Sequence, residues 1–296
     1  MVTRFFIGLS FLLSLAFTAP TAWAIDSRLE ALNTGEAAKG FEAVGRLNRG
    51  EDLLCTASLI RPNLVLTAAH CLVEDSGALV KPQELEFLAG FRHTSALAYR
   101  KISRFVVHPK YIAVRGSLEA IKYDVALIEL YQPVDTRQIT PFAVKEQLAR
   151  GEDVRVVSYA ADRTAAPSLQ DRCTVIEERD MILIMTCDVN FGSSGAPIFG
   201  TMDGTPTVVS VVSAKAVYNN RNVSLGPNLK VSLRELYGSF NISAPASRIK
   251  GGMVARSAKA PSVIGARDGS AFGGGSSGAF GNSSGGAKFI GARGSN

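Results

Sequence analysis

From Phe41 onward the apolar positions alternate with polar ones or gather in short runs. Phe41–Leu47 alternates, Leu53–Ile60 is mostly apolar, and Asn63–Ala69 is a leucine and β-branched run behind Arg61-Pro62. Leu85–Ala89, Ile102–Val107 and Val125–Leu130 follow, all before Gln132-Pro133. After a linker reaching about Lys145, a second set comprises Val154–Tyr159, Cys173–Glu177, Met181–Thr186, Pro197–Phe199 and Val208–Ser213. Short apolar runs at close intervals predict an all-β chain built of barrels, because βαβ units would place helical periods between the strands. One stretch changes period: Leu229, Leu233, Leu236, Tyr237 and Phe240 fall at helical spacing, so Lys230–Phe240 is expected to be an amphipathic helix packed on the second set of strands.

The two ends read differently. Met1–Arg4 is a short basic segment, Phe5–Ala19 is apolar, and Ala22-Trp23-Ala24 offers a small-x-small cleavage site, so residues 1–24 are expected to be a signal peptide removed before Ile25. No other stretch could cross a bilayer, and no membrane anchor is expected after that cut. Residues 25–40 lack strong periodicity and read as an N-terminal arm or a short propeptide. After Asn241 the chain turns to Gly, Ser and Ala, with Val263-Ile264-Gly265-Ala266-Arg267 echoed by Phe289-Ile290-Gly291-Ala292-Arg293. Such text offers little apolar surface to offset its ordering entropy, so 241–296 is expected to be disordered.

Composition then narrows the class. The 296 residues are 46% hydrophobic and 20% charged, a globular balance. The formal charge of +6 is that of the tail alone, where Arg248, Lys250, Arg256, Lys259, Arg267, Lys288 and Arg293 stand against Asp268. The basic pI therefore says nothing of the body, and no nucleic-acid partner is expected. The tail reads either as a dispensable extension or as a tether to an anionic surface or polymer. Export makes the four cysteines, Cys55, Cys71, Cys173 and Cys187, candidates for disulfides. Three pairings are possible; joining near neighbours closes two short loops, each worth about 3 kcal/mol on a chain-entropy account. A metal site is not expected, since the cysteine spacings are long and only three histidines occur.

Three polar positions then bring chemistry. Thr67-Ala68-Ala69-His70-Cys71 sets an imidazole after an apolar run, Tyr123-Asp124-Val125-Ala126-Leu127-Ile128 sets a carboxylate at the mouth of an apolar strand, and Gly192-Ser193-Ser194-Gly195-Ala196-Pro197 sets hydroxyls in a glycine-flanked turn. Each alone has an ordinary reading as a core histidine, a strand cap or a turn. Together they match a chemical need: a serine hydroxyl attacks poorly until a base takes its proton, and the base is held in the right tautomer by a buried carboxylate. Glycines around the serine let backbone N–H groups converge on one spot, where an oxyanion can sit.

The motifs TAAHC, YDVALIEL and GSSGAP resemble, in order, those of the trypsin-like (chymotrypsin-fold) serine peptidases, and the likeness runs from about Phe41 to Phe240. The resemblance implies a peptidase domain at 41–240 made of two packed six-stranded antiparallel β-barrels, about 41–137 and 146–228, with a C-terminal helix at 230–240. It implies Ser194 as nucleophile, chosen over Ser193 because the family's serine precedes the Gly-x-Pro piece, with His70 as base, Asp124 as its orienting carboxylate and the N–H groups of Gly192 and Ser194 as the oxyanion hole. It also implies a Cys55–Cys71 bridge beside His70. His108-Pro109-Lys110-Tyr111 resembles a family loop, and His93 and His108, outside the motifs, are expected to be solvated or structural.

Specificity is less plainly written. Asp188 stands at the offset from Ser194 where trypsin-like members hold the aspartate that pairs with substrate Arg or Lys, although it also reads as a loop cap after Cys187. Ser213-Ala214-Lys215 resembles the family's Ser-Trp-Gly pocket wall, where Lys215 could neutralise Asp188 or block the pocket. Relatives specific for glutamate carry a histidine where Val212 stands. Most animal members carry, in place of Ser193, an aspartate that binds the ammonium freed by zymogen cleavage; activity here is expected without a freed Ile or Val terminus, as in many bacterial relatives. Ala196, in place of a usual glycine, adds only a methyl. The expected function is a secreted or periplasmic serine endopeptidase acting on proteins or peptides without a cofactor; the alternatives are a catalytically silent homologue that binds, and an esterase with the same triad. Sequons at Asn222, Asn241 and Asn282 matter only in a glycosylating source.

Overall fold

The computed structural model describes residues 26–114, 116–144, 150–202 and 205–240, with the short segments 253–256 and 287–289. The expected signal segment and most of the tail lie outside the described residues. The first sheet contains β2 (Val44–Arg49), β3 (Asp52–Arg61), β4 (Leu64–Thr67), β5 (Leu85–Ala89), β6 (Ala98–Val107) and β7 (Ala126–Leu130). Their order is β6-β5-β2-β3-β4-β7, and β6 pairs again with β7, so six antiparallel strands close into a barrel. Its interior is filled by side chains such as Leu47, Leu59, Phe87, Phe105 and Leu127, all fully buried. Closure leaves those strands few unpaired backbone groups.

The second sheet contains β8 (Asp153–Ala160), β9 (Arg163–Arg179), β10 (Ile182–Met185), β11 (Pro197–Met202), β12 (Thr205–Val211), β13 (Ala214–Tyr218) and β14 (Arg221–Pro227), in the order β12-β11-β8-β9-β10-β14-β13. It curls back on itself: Ser210 Oγ donates to Pro227 O at 2.8 Å and Ser213 N–H to Leu225 O at 2.8 Å, drawing the end of β12 to β14. The expected all-β architecture with a C-terminal helix is present. The β13–β14 hairpin was not among the expected strands. Its turn is Asn219-Asn220, with φ of 48° and 59°, a left-handed pair that asparagine tolerates and that fits a tight hairpin.

The N-terminal segment adds an edge strand, β1 (Leu29–Ala31), antiparallel to β9. Within the tail, β15 (Met253–Arg256) pairs with β6 and β16 (Ala287–Phe289) pairs with β13. The seam between the sheets is aromatic: the Phe199 ring from β11 lies 4.7 Å from that of Phe142 and 5.6 Å from that of Phe41. Tyr159 of β8 is fully buried there, and its hydroxyl donates to Phe91 O at 2.7 Å.

A short helix α1 (Leu118–Lys122) precedes β7, and α2 (Leu229–Ser239) follows β14. The Asn228 side chain caps α2 by accepting from Lys230 N–H at 2.9 Å. The helix follows the second sheet in sequence but packs on the first barrel, a correction to the expected placement. Its Leu229, Leu233 and Leu236 join the cluster that holds the β2–β7 core, Arg104 lies over the Phe240 ring, and Arg61 lies over Tyr237. The helical period reveals an apolar face without saying which surface that face meets. Among the described residues no helix is long and apolar enough to cross a membrane.

Glu235 of α2, itself buried, pairs with Lys110 at 3.0 Å and lies 3.2 Å from Nε2 of fully buried His108. His108 Nδ1 accepts from Lys110 N–H, and its ring stacks on Tyr123. Burial pushes the imidazole down from 6.5 to about 4, against the opposing pull of Glu235. The unfolded chain therefore takes up a proton in this window that the folded chain resists, so stability falls as pH is lowered through it. Thermal unfolding should show a midpoint that drops between pH 6.5 and 4, with a shallower slope in His108→Asn; equal slopes would remove His108 as the cause.

Candidate active site

His70 lies in a 3-10 turn, Ala69–Cys71, directly after β4, and the Cys55–Cys71 disulfide ties that turn to β3. Asp124 sits between α1 and β7 and is 3% exposed. Its Oδ1 accepts from His70 N–H at 2.8 Å, and its Oδ2 contacts His70 Nδ1 at 2.7 Å. Ser213 Oγ donates to the same Oδ2. Three donors therefore meet the buried carboxylate, so burial leaves neither of its oxygens without a partner. With the Nδ1 proton directed to Asp124, Nε2 is the ring nitrogen suited to accept a proton. Ser213, expected in a pocket wall, directs its hydroxyl to the aspartate.

The turn carrying Ser194 is held by its carbonyls. Asn190 O accepts from Ser193 N–H at 2.9 Å, Phe191 O from Ala161 N–H at 2.7 Å, Gly192 O from Thr56 Oγ1 at 2.8 Å, Ser193 O from Ala196 N–H at 2.9 Å and Ser194 O from Thr56 N–H at 2.9 Å. With the carbonyls of residues 190–194 all engaged, the peptide planes are fixed. Among the described residues the N–H groups of Gly192 and Ser194 donate to no protein acceptor. Gly192 (φ +88°) and Gly195 (φ +73°) supply the left-handed backbone, and a Cβ on Gly195 would fall 2.1 Å from Thr67 Oγ1 and 2.9 Å from Ala68 N. That close approach seats the turn against the strand end that leads to His70, so the three motifs meet at one seam.

Ser193 faces inward and is fully buried. Its hydroxyl contacts Ser158 Oγ at 3.2 Å, Asn190 N at 3.3 Å and the Arg163 guanidinium at 3.4 Å. The position that holds a carboxylate in animal zymogens thus holds a neutral hydroxyl beside a cation of the chain itself. The N-terminal segment lies elsewhere, along β9: Ser27 O accepts from Gln170 Nε2 at 2.9 Å, and Gln170 Oε1 accepts from Asp188 N–H at 2.7 Å. Buried Gln170 therefore joins the arm to the loop that presents Asp188.

Asp188 has a largely exposed side chain, with Lys215 Nζ 3.8 Å from its Oδ1. A negative charge at this point is partly offset before any substrate arrives. Phe191, 52% exposed beside Gly192, forms an apolar lip. Cys173 and Cys187 form the second disulfide and tie β9 to the start of that loop. The ligand atoms of Cys55, His70 and Cys71 lie within 4.8 Å of one another, but both sulfurs are spent in the disulfide and offer no thiolate to a metal.

Sequence reasoning missed Thr56, Arg163, Gln170 and Phe191. Thr56 adjoins Cys55 and Phe191 adjoins Gly192, which is the only local signal for either. The side-chain hydrogen bonds of Thr56 and Gln170 run to segments distant in the chain, and Arg163, which also meets its near neighbours Asp162 and Ser158, reaches Ser193 in the later turn.

A closed barrel and a second β-sheet, with a carboxylate–imidazole pair and a glycine-bounded serine turn at their seam, define the architecture of a serine peptidase of the chymotrypsin fold. A family model described as Trypsin matches residues 33–231, and the chain belongs to that family. Similar proteins include serine protease SP24D of Anopheles gambiae, 37% identical over 51% of this chain and 60% of its own length. Trypsin Blo t 3 of Blomia tropicalis is 28% identical over 50% of this chain and 54% of its own length. The chain thus spans little more than half the length of these relatives. The solved structure of a Glu endopeptidase in complex with MPD matches with a TM-score of 0.61 at 19% identity, covering 74% of this chain and 98% of its own; at that identity the likeness is one of fold.

Thr56 offers a direct test of the carbonyl clamp. Thr56→Val keeps the shape but leaves Gly192 O and Tyr159 N, bonded to the hydroxyl at 2.8 and 3.0 Å, without that partner. The variant should lose about 1–3 kcal/mol of stability in denaturant unfolding, whereas a loss within error would show that the hydroxyl holds nothing.

Proposed function

We propose that the protein is an exported serine endopeptidase that cleaves peptide bonds through an acyl-enzyme. The observation that carries this reading is the buried Asp124 carboxylate holding both the backbone and the ring of His70. Ser194 Oγ attacks the scissile carbonyl as His70 Nε2 takes its proton. The imidazolium so formed is stabilised by Asp124, and it returns the proton to the leaving amine. Water then repeats the sequence on the acyl-enzyme. Oxyanion charge is received by the Gly192 and Ser194 N–H groups, and loss of one such donor in serine peptidases costs about 100- to 1,000-fold in rate.

Two disulfides support folding in an oxidising compartment, secreted or periplasmic. Arg163 beside Ser193 supports activity without an inserted N-terminal ammonium, since the turn already rests on a cation. The β1 pairing and Gln170 support reading residues 26–32 as a retained arm of the second sheet.

For P1 choice, Asp188 favours Arg and Lys while Lys215 opposes them. The native enzyme should cut with at most a weak basic preference, and Lys215→Ala should raise cleavage after Arg and Lys by up to about fivefold, the size of an exposed ion pair. Digestion of a diverse peptide mixture, with cut sites read by mass spectrometry, checks both points. Cleavage should vanish in Ser194→Ala. Ester hydrolysis without peptide cleavage would make the protein an esterase, and neither activity from folded protein would make it a silent homologue. Activity that appears only after cutting near Phe41 would refute the role given to Arg163.

A further inference from the structure

β13 is the strand by which the second sheet reaches the catalytic seam. Ser213, immediately before it, donates to Asp124, and one edge of the strand is taken by β14 from Ala214 opposite Leu225 to Tyr218 opposite Arg221. Among the described residues no other strand of the body lies on the opposite edge, where β16 of the tail pairs antiparallel: Tyr218 with Ala287, Val217 with Lys288, Ala216 with Phe289.

Direction gives this pairing its meaning. As the tail runs from 287 to 289 it passes from Tyr218 to Ala216, toward Ser213 and the triad. Any peptide strand added to this edge in the same sense runs toward Ser213 and, through it, toward Asp124. An extended substrate binds such an edge mainly through main-chain N–H and C=O groups, so segments of quite different sequence can compete for it.

We propose that the C-terminal segment beginning at Ala287 is an intramolecular competitor for the substrate track along β13. The inference rests on the peptidase reading above. Three paired residues hold weakly by themselves, so tethering must supply the occupancy. A covalent tether gives an effective concentration of up to about millimolar, and the pairing of β15 with Arg104–Val107 of β6 provides a second attachment between α2 and β16. Occupancy of this kind is partial, which slows substrate entry without abolishing turnover.

The test compares the full chain with one ending at Gly286, using a peptide amide cleaved in the digestion experiment and hydrogen exchange at the β13 amides. The truncated form should show a roughly fivefold lower KM at unchanged kcat, as removal of a weak tethered competitor requires, together with faster exchange across Ala214–Tyr218. A synthetic peptide of residues 283–296, added to the truncated form, should raise KM again. Equal KM and equal exchange in two active forms would overturn the inference and leave the peptidase reading intact. A change in kcat at constant KM would overturn competition as well. No cleavage by either form would overturn the peptidase reading and the competition with it.

Discussion

The structure depends on one set of contacts, the anchoring of the carbonyls at 190–194. Thr56 supplies two of the five donors, its N–H to Ser194 O and its hydroxyl to Gly192 O, and it comes from β3 of the other barrel. Each bond is worth only about 1 kcal/mol net, but together they decide which way the peptide N–H groups point. An oxyanion hole requires those groups to be aimed before the charge appears, since reorganising them during the reaction would consume the stabilisation they provide. On the proposed mechanism, the clamp converts contact between two sheets into a preformed oxyanion site.

The carboxylate obeys the same logic. Asp124 comes from the first barrel with His70, while the third donor, Ser213, comes from the second sheet. Both halves thus converge on one buried charge, and leaving it unpaired would cost several kcal/mol. Gly195 closes the seam from the other side, because its missing side chain lets the serine turn lie against Thr67 and Ala68. On the proposed mechanism, a substitution that separates the sheets is expected to damage the oxyanion hole and the base together, coupling stability to activity at this seam.

Much of this was legible in the sequence, for identifiable reasons. The barrel strands announced themselves through short apolar runs, and His70, Asp124 and Ser194 through polar breaks in those runs. The β13–β14 hairpin was overlooked because Asn219-Asn220 separates strands whose polar Lys215, Arg221 and Asn222 mask the alternation. The helix was legible as a helix, but its docking on the first barrel was not, since that depends on Glu235 meeting Lys110 and His108 far away in the chain. Thr56 and Gln170 were invisible because their partners lie in distant segments, and Arg163 because its local contacts with Asp162 and Ser158 give no hint that it also reaches Ser193. Within the stretch expected to be disordered, the structure describes two short strands, and backbone pairing on an available sheet edge has almost no side-chain signature to read.

The central claim is that the chain reaches the catalytic arrangement with its N-terminal arm uncut, and stoichiometric labelling tests it most directly. Protein produced from Ile25 onward should be treated with a fluorophosphonate and the adduct located by peptide mass spectrometry. The account predicts one phosphonyl group per chain, on Ser194, in protein that has undergone no internal cleavage. Label on Ser193, or none until the chain is cut near Phe41, would contradict it.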